Sequence, residues 1–308
     1  MKPQRSLTGV LIVNKPSGPT SNRVLQRVRQ LFNFKKVGHT GCLDPLASGV
    51  LPVCFGGATR LAEFMLADNK VYEADICLGI TTTTGDAMGE IVAEQTPPDI
   101  SDEFLQDILA SFVGTSDQQA HKYSALKYQG KPLYAYAREG IEVPAKHRQI
   151  TISSIQWLSR LSNNGFKIQV SCSKGTYIRS LAEDIGTKIG CGAHLIGLKR
   201  IQSGIFHINQ ALNLDVLENL SVAEREQFLL PAWDAVPHLK KYAMPDALAH
   251  ELLIGRAVES SSIDSNYPTE HIVLITEAQQ FLGLGRIESG KIFPWRMMPK
   301  EKIFESLP

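Results

Sequence analysis

The sequence predicts an α+β fold: a mixed, largely antiparallel sheet flanked by helices, followed by a small β-rich module. Three observations carry this. Amphipathic helical stretches alternate irregularly with short strands, no regular strand, helix, strand succession runs through the chain, and from about Met244 the pattern changes to one short helix and closely spaced strands. With 308 residues, 43% of them hydrophobic, the chain is long enough for a main domain (1–245) and a smaller one (246–308).

Taken in order, the first helix is capped by Thr20 or Ser21 and runs to Phe32. Val24, Leu25, Val28, Leu31 and Phe32 share one face, Arg23 and Gln30 lie opposite, and Arg27 and Arg29 flank it, which makes the helix basic and amphipathic. Tyr72, Ala74, Ile76 and Leu78 alternate with Glu73, Asp75 and Cys77, the period of a half-buried strand. Gln95-Thr96-Pro97-Pro98 is a surface loop, and Ser101 caps a second helix that Gly114 stops. Phe166, Ile168, Val170 and Cys172 form another alternating strand, followed by a helix from Ile178 to Ile189 that ends at Gly190. The C-terminal module holds a helix from Ala247 to Leu253, a loop from Ser260 to Pro268, and strands near His271 to Thr276, Phe281 to Ile287 and Lys291 to Trp295.

Composition narrows the function classes. Thirty-two Lys and Arg against 31 Asp and Glu leave a net charge of +1, so a nucleic acid must be held by a local basic surface. The apolar run Gly9 to Val13 is far too short for a secretory or membrane segment, so a cytoplasmic protein with no membrane partner is expected. Five scattered cysteines without a C-x-x-C argue against a disulfide framework and a structural zinc site.

The chemistry concentrates in two stretches. In Gly38-His39-Thr40-Gly41-Cys42-Leu43-Asp44-Pro45-Leu46-Ala47-Ser48-Gly49, one carboxylate stands in a tight, mostly apolar loop. Asp44 is either a turn-forming aspartate before proline or a catalytic carboxylate on a rigidly held loop. The second stretch, Ser173-Lys174-Gly175-Thr176-Tyr177-Ile178-Arg179, passes through a glycine turn and sets Arg179 at a helix start. Arg179 pairs either with Glu183 four residues on or with Asp44, which it would aim. Tyr72, after Lys70-Val71, is a packing residue or a reactive ring.

These segments, together with Asn14-Lys15-Pro16-Ser17-Gly18, Thr20-Ser21, Thr84-Gly85-Asp86-Ala87-Met88-Gly89, Tyr123-Ser124-Ala125-Leu126-Lys127 and Leu198-Lys199-Arg200, occur in an order that resembles the TruB family. The resemblance spans about residues 8 to 206. It implies a pseudouridine synthase fold with a C-terminal PUA-like RNA-binding domain, the latter more weakly through Leu252-Leu253-Ile254-Gly255-Arg256. It also implies isomerisation of uridine to pseudouridine at position 55 in the T-loop of tRNA, by base flipping, with help to tRNA folding as a second activity. Asp44, Tyr72 and Arg179 would be catalytic; His39, Tyr177, Ile178, Leu198, Lys15, Lys199 and Arg200 would bind substrate. No cofactor and no metal are expected, the partner is the tRNA T-stem-loop, and the enzyme is expected to be a monomer. Arg23, Arg27, Arg29, Lys35, Lys36, Lys122, Lys127, Lys131 and Arg138 would follow phosphates. Where the family has Pro-Pro, this chain has Ala120-His121, which alters a turn and touches none of the residues assigned to chemistry. Rival readings are an RNA chaperone without catalysis and a glycosidase that pairs Asp44 with Asp86.

Overall fold

The computed structural model describes residues 7–124, 126–144, 147–162, 164–259 and 270–299; Ala125 and the Ser260–Pro268 loop lie outside them. The main sheet follows the spatial order Leu212–Asn213, Gly9–Lys15, Ser48–Phe55, Ala193–Ser203, Lys70–Leu78, Gly165–Cys172, His147–Arg160, Gly114–Gln119. It is mixed and largely antiparallel, as the sequence pattern implies. The parallel joints are Gly9–Lys15 with Leu212–Asn213 and Ala193–Ser203 with Ser48–Phe55.

The helices form where the periodicity places them. The Ser21–Phe32 helix is capped by the Thr20 side chain, which accepts from the Arg23 amide, and buries Val24, Leu25, Val28 and Phe32 against the sheet. The Ile178–Ile189 helix ends at Gly190, whose φ of 89° is the left-handed conformation that closes a helix. The second helix is shorter than expected: it spans Asp102–Ala110, and the chain then tightens into i to i+3 bonds, the Phe112 and Val113 amides donating to the Leu109 and Ala110 carbonyls ahead of Gly114. No helix among the described residues is long and apolar enough to cross a membrane.

A five-stranded second sheet runs in the order Lys240–Met244, Glu270–Thr276, Phe281–Glu288, Lys291–Met297, Val258–Glu259, with the Asp246–Leu253 helix against it. Lys240–Met244 pairs in parallel with Glu270–Thr276, so this sheet begins ahead of the boundary at 245 that composition suggests. Its buried face (Ile272, Leu274, Leu284), with Met298 after its last strand, continues into Val10, Val50 and Cys54 of the main sheet and Met65 of the Ala62–Ala67 helix as a single core.

One position in the joint between the two halves of the main sheet admits only glycine. Gly49 has φ of 105°, and a Cβ there would stand 2.2 Å from the Arg200 carbonyl oxygen. The end of the Asp44 loop is thereby locked against the strand that carries Leu198 and Arg200.

Cys54 ties the core to pH. Burial pushes its thiol up to about 12, so the unfolded chain releases that proton first as pH rises. Its contribution to stability is intact below about pH 8.5 and is lost between there and pH 12. Thermal midpoints measured from pH 8 to 11 are expected to fall less steeply in Cys54→Ala than in the wild type, although the alanine chain starts lower at pH 7; equal slopes would contradict this.

Candidate active site

The Asp44 loop links the Val37–His39 and Ser48–Phe55 strands, and the segment after the first strand clamps it. Ser21 both accepts from the Leu43 amide (2.8 Å) and donates to the Leu43 carbonyl (2.9 Å). The Gly18 amide donates to Pro45 O (2.8 Å) and the Ser17 hydroxyl to Leu46 O (2.9 Å). Lys15 reaches in from below: it is fully buried and its Nζ donates to Ala47 O at 2.6 Å and Pro16 O at 2.9 Å. Burial lowers this ammonium to about 8, with the nearby Asp44 carboxylate opposing the shift. Lys15 therefore braces the loop from within, its ammonium spent on loop carbonyls.

Ser21→Ala removes both bonds to Leu43 and leaves two buried backbone groups unpaired, at a cost of about 1–3 kcal/mol of stability. The variant is expected to lose turnover several-fold more than RNA affinity, measured by single-turnover rate beside equilibrium binding.

Arg179 enters from the start of the Ile178–Ile189 helix and is held at every nitrogen. Its Nε lies 2.9 Å from Asp44 Oδ2, one Nη donates to Thr84 O at 3.0 Å and the other to Tyr123 O at 3.0 Å. The Arg179 side chain is 6% exposed and the Asp44 side chain 42%, so a buried cation aims a carboxylate at solvent. Pairing with Asp44, and not with Glu183, is what the fold selects. Sequence reasoning left two neighbours of Arg179 out of this role. Asp86 stands 4.0 Å from Nε, buried, and accepts from the Thr84 hydroxyl (2.6 Å) and the Met88 amide (3.0 Å). His121 Nδ1 is 3.1 Å from an Arg179 Nη, so the Ala120-His121 departure does touch the site, contrary to expectation. The glycine turn around Asp86 was the available signal for the first; the second had none locally.

Around the Asp44–Arg179 pair is a pocket of about 250 Å³, walled by Tyr72, Tyr177, Ile178, Leu198 and Leu66, with Arg200 among its lining residues. It thus brings together Asp44, Tyr72, Arg179, Tyr177, Ile178 and Leu198 from the sequence-based set. Asp86 does not line it, which removes the second acid that a glycosidase needs. Arg200 is almost wholly buried, its Nε donating to Val50 O (2.8 Å) and an Nη to Gly41 O (3.0 Å). It supports the pocket from beneath while lining it, and Lys199 is exposed beside it. Burial pushes the Tyr72 phenol above its ordinary range while the hydrogen-bonded Arg200 opposes, which disfavours the phenolate. His39 lies outside the lining, its Nε2 3.9 Å from Cys42 Sγ, and burial followed by Arg200 lowers its imidazole, favouring the neutral ring. Of the basic residues, Arg27 pairs with Glu218 (2.7 Å) and Lys131 with Glu139 (2.5 Å), while Arg23, Lys35 and Lys174 are exposed.

Residues 29–178 match the model of the N-terminal domain of TruB family pseudouridylate synthases, 179–240 that of the tRNA pseudouridylate synthase B C-terminal domain, and 241–298 that of the pseudouridine synthase II TruB C-terminal domain. A curated relative from Methylobacillus flagellatus, named tRNA pseudouridine synthase B, is 45% identical over 96% of both chains. This chain belongs to the TruB family. A second relative of the same name, from Idiomarina loihiensis, is 42% identical over 97% of this chain and 96% of its own. Among solved structures, a chain of an H/ACA ribonucleoprotein bound to a substrate RNA containing 2'-deoxyuridine superposes with a TM-score of 0.69. It covers 96% of this TruB-family chain and 86% of its own at 23% identity, which establishes the shared fold.

Proposed function

We propose that this protein isomerises uridine to pseudouridine in tRNA, at the T-loop uridine, position 55, with Asp44 as the essential carboxylate. The observation that carries this reading is a single carboxylate, aimed by a buried guanidinium, in a pocket the size of one flipped nucleoside and walled by an aromatic ring. Membership of the TruB family, and the name shared by its relatives, supports the reaction and the substrate class. In this reaction the N1 glycosidic bond breaks, the uracil turns while held, C5 bonds to C1′, and the C5 proton is lost as N1 gains one. Asp44 acts either by adding to the sugar or base or by abstracting a sugar proton to give a glycal. Tyr72 stacks on the uracil, Ile178 and Leu198 bound it, and Tyr177 closes the wall. His39, neutral and on the same loop, fills the gap that the extruded base leaves.

The T-stem-loop is followed by exposed Lys199, Lys174, Arg23 and Lys35, giving salt-dependent affinity. The C-terminal sheet adds RNA contact, and the enzyme works in the cytoplasm as a monomer without cofactor or metal. The test is incubation of purified protein and chelator with an unmodified tRNA transcript, followed by mapping at single-nucleotide resolution. Pseudouridine at the T-loop uridine alone is expected; tight binding without product would replace this reading with a chaperone.

A further inference from the structure

On the side of Arg179 away from Asp44 lies His121, 7% exposed. Its Nδ1 sits 3.1 Å from an Arg179 Nη and accepts from the Tyr123 amide, also at 3.1 Å. Guanidinium and amide nitrogens only donate, so Nδ1 must be the unprotonated nitrogen and the ring proton belongs on Nε2. That atom faces Glu183 Oε1 at 3.7 Å. Gly85 borders both: a Cβ added there would lie 3.0 Å from His121 Nε2 and 2.9 Å from Glu183 Oε1.

We propose that His121 is a positioning residue for the isomerisation: its neutral ring completes the cage that holds Arg179 against Asp44, and protonation at Nδ1 opens that cage. This rests on the isomerase reading above. A proton on Nδ1 would confront two donors, cancelling both hydrogen bonds and setting a cation beside the guanidinium at 3.1 Å. Arg179 would then keep its carbonyl partners Thr84 and Tyr123 only by shifting, and its 2.9 Å contact with Asp44 would lengthen.

The charged surroundings oppose one another. From the Ile178–Ile189 helix, the Arg179 guanidinium and the Glu183 carboxylate both face His121; from the Thr84–Gly89 turn, Asp86 sits beyond the guanidinium, 4.0 Å from Arg179 Nε. Asp44 lies across Arg179, and Lys122 neighbours His121 on its own segment. His121 also lines a cleft of about 770 Å³ together with Lys122, Glu142, Glu183 and Asp184, which gives protons a route to the ring from solvent.

The test is the single-turnover rate of pseudouridine formation at saturating enzyme, from pH 5.5 to 8.5, for the wild type, His121→Phe and His121→Asn. Phenylalanine keeps the ring and its packing on Tyr123 but has no acceptor; its rate at pH 8 is expected to fall about tenfold with tRNA affinity unchanged. Asparagine returns an acceptor near the Nδ1 position that does not titrate. It is expected to recover most of the rate at pH 8 and to lack the decline that the wild type shows toward pH 5.5. An asparagine variant that declines as the wild type does, or a phenylalanine variant at full rate, overturns the role of His121 alone. A wild-type chain that binds tRNA and forms no pseudouridine overturns the isomerase reading and this role with it. Unfolding midpoints of all three chains separate a folding loss from a positioning loss, because the asparagine chain remains informative when the phenylalanine chain is unstable.

Discussion

Asp44→Asn is expected to abolish pseudouridine formation, by a factor on the order of 10⁴ or more, while tRNA affinity stays within about threefold. The amide is isosteric with the carboxylate, and its oxygen can still accept from Arg179 Nε, which lies 2.9 Å from Asp44 Oδ2. The loop is fixed by bonds that do not involve this side chain, through Ser21, Ser17, Gly18 and Lys15 to Leu43, Leu46, Pro45 and Ala47. Shape and fold are therefore retained, and what is lost is the negative charge and basicity that either chemical route requires. With the side chain 42% exposed, the ion pair itself contributes little to stability, and the unfolding midpoint should move by no more than a few degrees. Single-turnover assay, equilibrium binding and a thermal scan on one preparation check all three statements. Product formed at the wild-type rate would end the assignment of Asp44.

The same loop shows where sequence reading succeeds and where it stops. Local periodicity places the Lys70–Leu78 and Gly165–Cys172 strands and the Ser21–Phe32 helix, because one face of each meets the core and the spacing of apolar residues records it. The convergence of Asp44 with Arg179 is suggested by motifs but is made by topology: the two side chains sit 135 positions apart, and Ala193–Ser203 pairs with both Ser48–Phe55 and Lys70–Leu78 while Lys70–Leu78 also pairs with Gly165–Cys172, the strand that leads to Arg179. The burial of Lys15 and Arg200 is not legible in the sequence, for a physical reason. Cations belong at the surface unless buried carbonyls accept their hydrogen bonds, and the carbonyls that do so here, Ala47, Gly41 and Val50, belong to the same loop and strand. No residue near Lys15 in sequence announces that, just as nothing near His121 announces a partner 58 positions away.

Arg179→Lys is expected to lower the rate by a factor on the order of 10² to 10³ and to destabilise the fold by about 2–4 kcal/mol. The charge is conserved, so a purely Coulombic role would predict a mild effect. The guanidinium, however, is a fork whose Nε faces Asp44 while its two Nη atoms donate to Thr84 O and Tyr123 O. An ammonium is a single point on a flexible stem; it can serve one of these groups and leaves the other buried acceptors without a donor, with Asp86 beside them uncompensated. The loss is therefore divided between aim and stability, and the two are separable. Chemical denaturation reads the second, and the rate of the fully folded fraction reads the first. In a double-mutant cycle, Asp44→Asn with Arg179→Lys should cost little more in rate than Asp44→Asn alone, because once the carboxylate is gone there is nothing left for the guanidinium to aim. Additive losses in that cycle would mean that Arg179 acts on the substrate directly and not through Asp44.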